Sequence, residues 1–470
     1  MRLILMILSV WFVTFVDKPE KSAPQLSERA VEQRAKWGIP TDAMDYPVSP
    51  LYMGELTKRG IKIYHKSRWF NGVTVEMDDE TAEKVKGLKF VKDVELTRDN
   101  SQKGDFYMKH KVHRLDEPGL DEMISYTDRQ LELYNLLPLH EAGYEGQGIL
   151  MTICDGGFYN AQEVSFFRQK ELELGHFDFT DDTDDFYGST GSHGTQCLST
   201  ISGITEGYYG AATKAQYYLM RSEETEHESP KEMDNLVAAF ETADSLGVNI
   251  FSVSLGYIYF DNSDWNLPYS AMNGKTTRAS RAATIAARKG MLVCAAAGNE
   301  GNSEWQKICV PADADSILTV GAVDTLGFIG SFSSYGPSSD GRVKPDVCAV
   351  GVKTTLITPQ GTLANSNGTS FACPLMAGLA ACLWSALPDE NAMQIRERIL
   401  RSADRYTNPD MNQYGYGIPD AWKAYTMTLP TGVESIQSSA VSVQKVIRDG
   451  KLYLMYKGTM YDVQGRRIEE

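Results

Sequence analysis

The chain has 470 residues, of which 42 % are hydrophobic and 23 % are charged, and its formal net charge is −16. This length is too great for one compact core and predicts two or three folded units. The acidity is uneven, because residues 1–120 carry 20 Lys and Arg against 18 Asp and Glu, whereas residues 121–470 carry 26 against 44. An acidic main body argues against a nucleic-acid partner, since phosphate binding needs a basic surface.

The N-terminus begins with a largely apolar run from Leu3 to Val16. Such a run is typical of the hydrophobic region of a signal peptide and is short for a membrane-spanning helix. We therefore predict that residues 1–23 are a signal peptide or a retained N-terminal anchor.

Residues 24–120 have the pattern of a small α+β domain. The segments 61–64 and 69–77 are strand-like, 79–86 is helical and 91–95 is again strand-like. A nearly neutral domain of this kind is expected to dock on the acidic body. An ordinary accessory domain would give the same pattern.

Between residues 149 and 325, strand-like apolar runs alternate with helical segments. Helix candidates at 235–246 and 276–289 are each followed by a glycine, Gly247 and Gly290, as helix C-termini often are. The alternation predicts an α/β fold with a mostly parallel central sheet flanked by helices. The strand candidates are residues 149–154, 215–221, 248–255, 291–297 and 317–323.

Ser370 begins a long apolar helix that is predicted over residues 370–387. Gly368 precedes it and allows a close backbone approach, and Pro374 is tolerated in the first helical turn. The free N–H groups at a helix N-terminus can stabilise an oxyanion. Taken alone, such a serine is most often a helix N-cap, so its assignment as a nucleophile depends on its partners.

Two upstream residues supply those partners. Asp155 ends an apolar run before two glycines, a pattern that is also common in turns. His193 has glycines within two residues on both sides, which makes it the most accessible of the seven histidines to a substrate backbone. A hydroxyl, an imidazole and an orienting carboxylate are the groups that nucleophilic acyl transfer requires. Asp155, His193 and Ser370 therefore predict a catalytic triad.

Asn299 follows the predicted strand at 291–297, where its side-chain amide could donate to an oxyanion together with the Ser370 N–H. A plain turn is the alternative. Asp155, Gly256 and Asn299 all follow predicted strands, and open α/β sheets place their sites at the carboxyl ends of strands. The sequence thus predicts one cleft.

These motifs resemble those of the subtilisin-like serine proteases, the subtilases, over roughly residues 134–427. The resemblance implies a subtilisin-like fold, with Asp155, His193 and Ser370 as the triad and Asn299 as the oxyanion donor. It also implies a substrate-binding edge strand and a facing wall of the specificity pocket, formed by Ser254, Leu255, Gly256, Ala296, Ala297 and Gly298. The small wall residues suggest tolerance of large apolar side chains at P1, the substrate residue before the cleaved bond.

Two positions depart from the family pattern. Gly156 stands where a Ser or Thr usually follows the aspartate, and Phe371 stands where a Met usually follows the serine. Neither change removes a reacting group. We therefore expect an exported serine endopeptidase (periplasmic, cell-surface or secreted) that acts through an acyl-enzyme intermediate. The alternative is a non-catalytic, subtilase-like surface or binding protein, which Gly156 alone supports.

The resemblance assigns residues 24–120 to an inhibitory propeptide and 121–428 to the catalytic domain. The expected partners are protein or peptide substrates and the chain's own propeptide, with no nucleic acid. No cofactor is required, and no metal-ligand motif assigns a metal site. Calcium is a structural ion in many subtilases, and the oxygen-rich segment 178–185 could bind it, although a solvated acidic turn is the simpler interpretation.

Residues 429–470 are expected to form a short β-rich tail. Segments 451–456 and 459–467 predict a hairpin around Lys457 and Gly458. This tail is either a sorting or attachment element or a packing extension. Among the seven cysteines, those within apolar runs near the predicted site are expected to be buried thiols: Cys154, Cys294 and Cys373.

Overall fold

The computed structural model describes residues 8–19, 22–100, 128–164, 170–180, 185–188, 191–224, 227–429, 443–448, 451–456 and 459–461. Residues 1–426 belong to one compact unit, and residues 427–470 belong to a second.

The first unit begins with a four-stranded antiparallel sheet in the order β2-β3-β1-β4. The predicted succession of strand, strand, helix and strand is present, and a further strand and two further helices join it. The elements are strands β1 (Ser9–Phe15), β2 (Lys62–Ser67), β3 (Gly72–Met77) and β4 (Val91–Arg98), with helices α1 (Glu28–Trp37), α2 (Pro50–Thr57) and α3 (Asp79–Lys86).

Strand β1 lies inside residues 1–23, the segment for which the sequence predicts a signal peptide or N-terminal anchor. It is a central strand that pairs with β3 on one side and β4 on the other. Val13 and Phe15 pack in the core of this small domain, whereas Phe12 faces the Arg278 guanidinium, 4.4 Å from its ring centre, in the larger domain. A strand that is buried on both faces has a nearly continuous apolar sequence, which is why it resembles a leader.

The larger domain is built on a seven-stranded parallel sheet in the order β13-β12-β11-β10-β5-β9-β6. The five predicted strands form its interior. The two edge strands, β6 and β13, were not predicted, because β6 is polar and β13 is short. The strands are β5 (Leu150–Asp155), β6 (Glu173–Asp178), β9 (Gln216–Arg221), β10 (Ile250–Val253), β11 (Leu292–Ala296), β12 (Leu318–Val323) and β13 (Val347–Val350).

Helices cover both faces of this sheet. In β5, Met151 and Ile153 point to one core layer, while Leu150 and Cys154 point to the other, as the two-residue period of a strand requires. The helices of the domain are α4 (Leu137–Glu141), α5 (His193–Ser202), α6 (Pro230–Leu246), α7 (Arg278–Arg288), α8 (Thr369–Ala386), α9 (Ala392–Ser402) and α10 (Ala421–Thr426). Two short antiparallel pairs complete it: β7 (Ile204–Thr205) with β8 (Tyr208–Tyr209), and β14 (Thr354–Ile357) with β15 (Leu363–Ser366).

Helix α8 is the central helix of one face. Among the residues that the structure describes, it is the one helix with the length and composition to cross a membrane, and most of it is buried inside the protein. Its burial confirms the prediction of a core helix that begins next to Ser370.

The second unit contains an antiparallel sheet in the order β16-β17-β18. Its strands are β16 (Val443–Arg448), β17 (Lys451–Tyr456) and β18 (Thr459–Tyr461). The predicted hairpin corresponds to β17 and β18, β16 was not predicted, and residues 462–470 lie outside the described part of the chain.

Candidate active site

Asp155 is the last residue of β5 and lies between the neighbouring strands β9 and β10. Its side chain is fully buried. The Gly156 N–H donates to Oδ1 at 2.7 Å, so the backbone itself holds the carboxylate. Gly156 therefore stabilises Asp155 without the hydroxyl that the family pattern usually supplies.

His193 is the first residue of α5, and its Nδ1 lies 2.8 Å and 3.0 Å from the two carboxylate oxygens of Asp155. Gly194 makes this approach feasible. A Cβ at position 194 would lie 2.6 Å from the Gly157 carbonyl oxygen and 2.9 Å from the Asp155 Cβ. The glycine after the histidine thus lets the start of α5 pack against the end of β5.

The surroundings of His193 set its protonation. Burial disfavours the imidazolium, but the Asp155 carboxylate outweighs burial and raises the pKa of His193 above its ordinary value. Glu223, whose side chain approaches Gly156, raises it further. Cys197 lies one turn along α5, with Sγ 3.8 Å from His193 Nδ1. Burial raises the pKa of the Cys197 thiol well above its ordinary value, so the thiol stays neutral.

Ser370 is the second residue of α8 and is largely buried. Its hydroxyl donates to the Ser254 carbonyl oxygen at 3.4 Å, and its own carbonyl oxygen accepts from the Ser254 hydroxyl at 2.9 Å. The next residue, Phe371, has its ring centre 5.6 Å from that of His193. The fold therefore brings the start of α8, the start of α5 and the end of β5 to one place.

Asn299 lies three residues beyond β11 and is exposed. Its Oδ1 accepts hydrogen bonds from the Thr369 N–H at 2.9 Å and from the Thr369 hydroxyl at 3.0 Å. These contacts attach the Asn299 amide to the residue before Ser370. Sequence reasoning missed this role of Thr369, because a threonine at the start of a helix is an ordinary N-terminal residue.

The six predicted substrate-binding residues divide into three groups. The side chains of Leu255, Ala296 and Ala297 belong to the buried core, so these residues can offer a substrate only backbone groups. Gly256 is exposed and Gly298 is half-buried. The hydroxyl and the carbonyl oxygen of Ser254 are both hydrogen-bonded to Ser370, as described above.

Cys309 is a neighbour of this site that sequence reasoning missed. It contacts both glycines: a Cβ built on Gly256 would lie 3.0 Å from the Cys309 Cβ, and one built on Gly298 would lie 2.5 Å from its Sγ. No local motif marks Cys309, because its position depends on contacts between segments that are distant in sequence. All seven cysteines are buried free thiols, as predicted for Cys154, Cys294 and Cys373.

Among the residues that the structure describes, no group is singled out as a calcium site. In the predicted segment 178–185, Asp178 accepts from the Arg221 guanidinium at 3.0 Å and from the Thr180 hydroxyl at 2.6 Å, while residues 181–184 lie outside the described part. Three other carboxylates, those of Glu223, Glu228 and Glu232, place one oxygen each within 4.8 Å of the others. Two of them already accept hydrogen bonds, from the Tyr257 hydroxyl and the Glu224 N–H.

The small N-terminal domain docks on helix α6 through buried ion pairs. The carboxylate of Asp244 in α6 forms ion pairs with Arg34 and Arg68 of the small domain, each with an N–O distance of 2.6 Å. At the end of β4, the Arg98 Nη1 lies 2.7 Å from a carboxylate oxygen of Glu224, next in sequence to Glu223. The docked domain therefore reaches to the neighbourhood of His193.

Comparisons with known proteins agree with this arrangement. A model of the subtilase family matches residues 146–417, and a model of the peptidase S8 propeptide domain of Bacteroidota matches residues 10–111. Subtilisin DY of Bacillus licheniformis is 29 % identical over 280 residues, which are 59 % of this chain and 90 % of that protein. Subtilisin NAT of Bacillus subtilis subsp. natto is 24 % identical over 370 residues, which are 77 % and 82 % of the two proteins.

A solved structure shares the fold. MycP1 from the ESX-1 type VII secretion system superimposes with a TM-score of 0.54 at 21 % identity, covering 69 % of this chain and 92 % of that chain. The subtilase match extends over more than half of the chain, and the propeptide match begins inside β1. The chain belongs to the subtilase family and is a serine endopeptidase made as a precursor with an N-terminal propeptide domain.

Proposed function

We propose that this protease cleaves peptide bonds with Asp155, His193 and Ser370 as its triad. The observation that carries the proposal is the 2.8 Å bond between Asp155 and His193 Nδ1, formed beside the N-terminus of the helix that bears Ser370. This bond places Nδ1 against the carboxylate and orients the imidazole, and in the proposed triad Nε2 is the atom that accepts the proton.

In the proposed mechanism, the Ser370 Oγ forms a bond to the substrate carbonyl carbon and His193 Nε2 takes the hydroxyl proton. The oxyanion accepts hydrogen bonds from the Ser370 N–H and from the Nδ2 of Asn299, whose Oδ1 is already engaged by Thr369. Collapse of this intermediate breaks the C–N bond, and the leaving amine takes the proton from His193. Water then attacks the acyl-enzyme with His193 again as the base.

We further propose that the propeptide domain inhibits the precursor. Its docking through Asp244 and Glu224 supports this role, because the contacts extend to the neighbourhood of His193. Export to the periplasm, the cell surface or the medium is part of the same proposal, since an inhibited precursor protects the cell that makes the protease. A structural calcium ion is compatible with it, at a site that we do not assign.

The alternative of a non-catalytic binding protein depended on Gly156. The bond from the Gly156 N–H to Asp155 counts against it, because the backbone holds the carboxylate whichever side chain stands at position 156. No other observation on the described residues favours the alternative.

The proposal is tested by comparing the wild type with Ser370→Ala on denaturing gels, with N-terminal sequencing and a fluorophosphonate probe. We expect the wild type to trim itself to the size of the catalytic domain and to take up the probe, while the variant stays full length and unlabelled. Ser385→Ala, which changes another serine of α8, is the matched control and should process normally. If wild type and Ser370→Ala behave alike over a range of pH and calcium concentration, the triad assignment is wrong.

A further inference from the structure

Gly256 and Gly298, the two glycines among the predicted substrate-binding residues, both pack against the side chain of Cys309. The Cys309 Cβ lies 3.0 Å from where a Cβ of Gly256 would stand, and its Sγ lies 2.5 Å from where a Cβ of Gly298 would stand. Real Cβ atoms essentially never show a distance of 2.5 Å and rarely show one of 3.0 Å, so the side chain of Cys309 packs directly against both glycines. Gly256 is exposed, whereas Cys309 is 4 % exposed.

The backbone of Cys309 is tied to both walls of the cleft. Its N–H donates to the Ala297 carbonyl oxygen at 3.1 Å. The next residue, Val310, exchanges two hydrogen bonds with Tyr257, at 2.9 Å and 3.3 Å. Cys309 is therefore bonded to the wall that contains Ala297, and its neighbour Val310 is bonded to the wall that contains Tyr257. Cys309 cannot move away from the space between the two walls without breaking these bonds.

The region behind Cys309 is filled. Ala297, Ile308 and Ala312 form a fully buried cluster there. The hydroxyl of Ser334 closes another side, because it would lie 2.7 Å from a Cβ of Gly298 while it accepts the Glu300 N–H at 3.0 Å. The Cys309 thiol is therefore a small group that its neighbours hold in place next to the two glycines. Burial raises its pKa well above the ordinary value, so it stays uncharged and behaves as a compact apolar group.

We propose that Cys309 is the floor of a shallow P1 pocket and that the mature enzyme prefers small P1 residues, such as Ala and Ser, to large aromatic ones. This inference depends on the proposed function, since it needs a substrate that pairs with residues 254–256 by strand addition and reacts at Ser370. In that pose the P1 side chain points between Gly256 and Gly298, into the volume that Cys309 occupies. The proposal replaces the expectation from the small wall residues, which was tolerance of large apolar side chains.

The test uses enzyme that has matured from the full-length precursor, with tetrapeptide p-nitroanilides that differ only at P1, where they carry Ala, Leu, Phe or Lys. The active fraction is first measured with a fluorophosphonate. We expect kcat/KM for the Ala substrate to exceed that for the Phe substrate by at least about 10-fold, the size of effect that a change of even one methylene produces in a closed pocket. In Cys309→Gly, kcat/KM for the Phe substrate should rise by at least about 10-fold relative to that for Ala.

Three further variants keep the test decisive. Cys309→Ser preserves the size of the side chain and should keep the wild-type order of substrates. Cys309→Ala should shift the order in the same direction as Cys309→Gly but by less, and it serves if the glycine variant does not fold. Cys294→Ala, a buried thiol of β11 away from the two glycines, controls for the loss of a core cysteine.

The outcomes separate this inference from the proposed function. If titrated wild-type enzyme cleaves the Phe or Lys substrate as well as the Ala substrate, or if Cys309→Ala and Cys309→Gly leave the order unchanged, the pocket assignment is wrong while the protease assignment stands. If the protein neither binds the fluorophosphonate nor cleaves any of the substrates, the proposed function itself fails.

Discussion

The Oδ1 of Asn299 accepts the backbone N–H of Thr369 at 2.9 Å, which joins the end of β11 to the first turn of α8. The Thr369 hydroxyl donates to the same oxygen at 3.0 Å. An amide whose oxygen is held in this way has its Nδ2 orientation fixed before substrate arrives. Preorganised donors are more effective than donors that must reorient during the reaction.

Asn299→Ala should therefore lower kcat by ~10²–10³, a magnitude carried over from subtilisin, where loss of the corresponding donor has this effect. KM should change little, because the donor acts mainly on the oxyanion. Steady-state kinetics on titrated enzyme measure both constants. Thr369→Ala removes one of the two bonds to Oδ1 and keeps Nδ2, so its effect on kcat should be much smaller. Equal losses in the two variants would show that Asn299 is a structural residue.

The acid limit of activity should follow His193. Its pKa is raised above the ordinary value of 6.5, since the Asp155 carboxylate outweighs the opposing effect of burial. Neutral imidazole is the base, so kcat/KM should fall as pH decreases through that raised pKa. The measured midpoint of the acid limb should thus lie above 6.5.

Asp155→Asn should move the same midpoint to lower pH, because burial then acts without the compensating charge. The residual kcat/KM of this variant will be small, and long assays are needed. Asp389→Asn, at an exposed carboxylate, should leave the wild-type midpoint unchanged. A midpoint in Asp155→Asn that equals the wild-type value would mean that another group controls the acid limb.

Asp244 should be essential for holding the propeptide domain. It pairs with Arg34 and Arg68, and the three side chains are 3 %, 6 % and 11 % exposed. Asp244→Asn leaves two buried arginines without their shared carboxylate, and breaking such a buried pair destabilises by about 3–5 kcal/mol. We expect this loss in the free energy of unfolding of the precursor, measured by urea denaturation in a Ser370→Ala background that prevents self-cleavage.

The exposed pair of Lys36 and Asp389 is the matched control, with side chains 47 % and 98 % exposed. Removal of such a pair changes stability by about 0–1 kcal/mol, so Asp389→Asn should leave the precursor nearly as stable as before. If Asp244→Asn and Asp389→Asn have the same small effect, the buried ion pairs do not hold the propeptide domain in place.

Gly194→Ala should reduce both stability and activity. The added Cβ would lie 2.6 Å from the Gly157 carbonyl oxygen and 2.9 Å from the Asp155 Cβ, so the start of α5 must shift away from Asp155. Overpacking of this kind destabilises by about 1–3 kcal/mol, and the shift should lower kcat through His193. Gly54→Ala in α2 has no heavy atom within 4 Å of the new Cβ and should be neutral or stabilising. Thermal unfolding of both variants is compared in the Ser370→Ala precursor, which retains the domain that contains Gly54, and kcat of matured Gly194→Ala is compared with that of the wild type.

Much of the sheet follows from the sequence because its interior strands are short, apolar and locally marked. The predicted strand at 149–154 differs by one residue from β5, Leu150–Asp155, and the helix predicted over 370–387 differs by one residue at each end from α8, Thr369–Ala386. The residues of the proposed triad could also be selected from the sequence, since each occupies a local pattern of small neighbours. These features depend on residues that are close together in the chain.

Contacts between segments that are far apart in the chain became visible only in the tertiary structure. The apolar run around Phe12 does not reveal its partners in the sequence, and the tertiary structure pairs it with β3 on one side and β4 on the other. Cys309 is an ordinary cysteine in the sequence, and its contacts with Gly256 and Gly298 place it in the proposed P1 pocket. The sequence by itself determined which groups can react and which segments form strands and helices. The depth of the cleft and the attachment of the propeptide domain come from long-range packing, because contacts between segments far apart in the chain leave no local pattern.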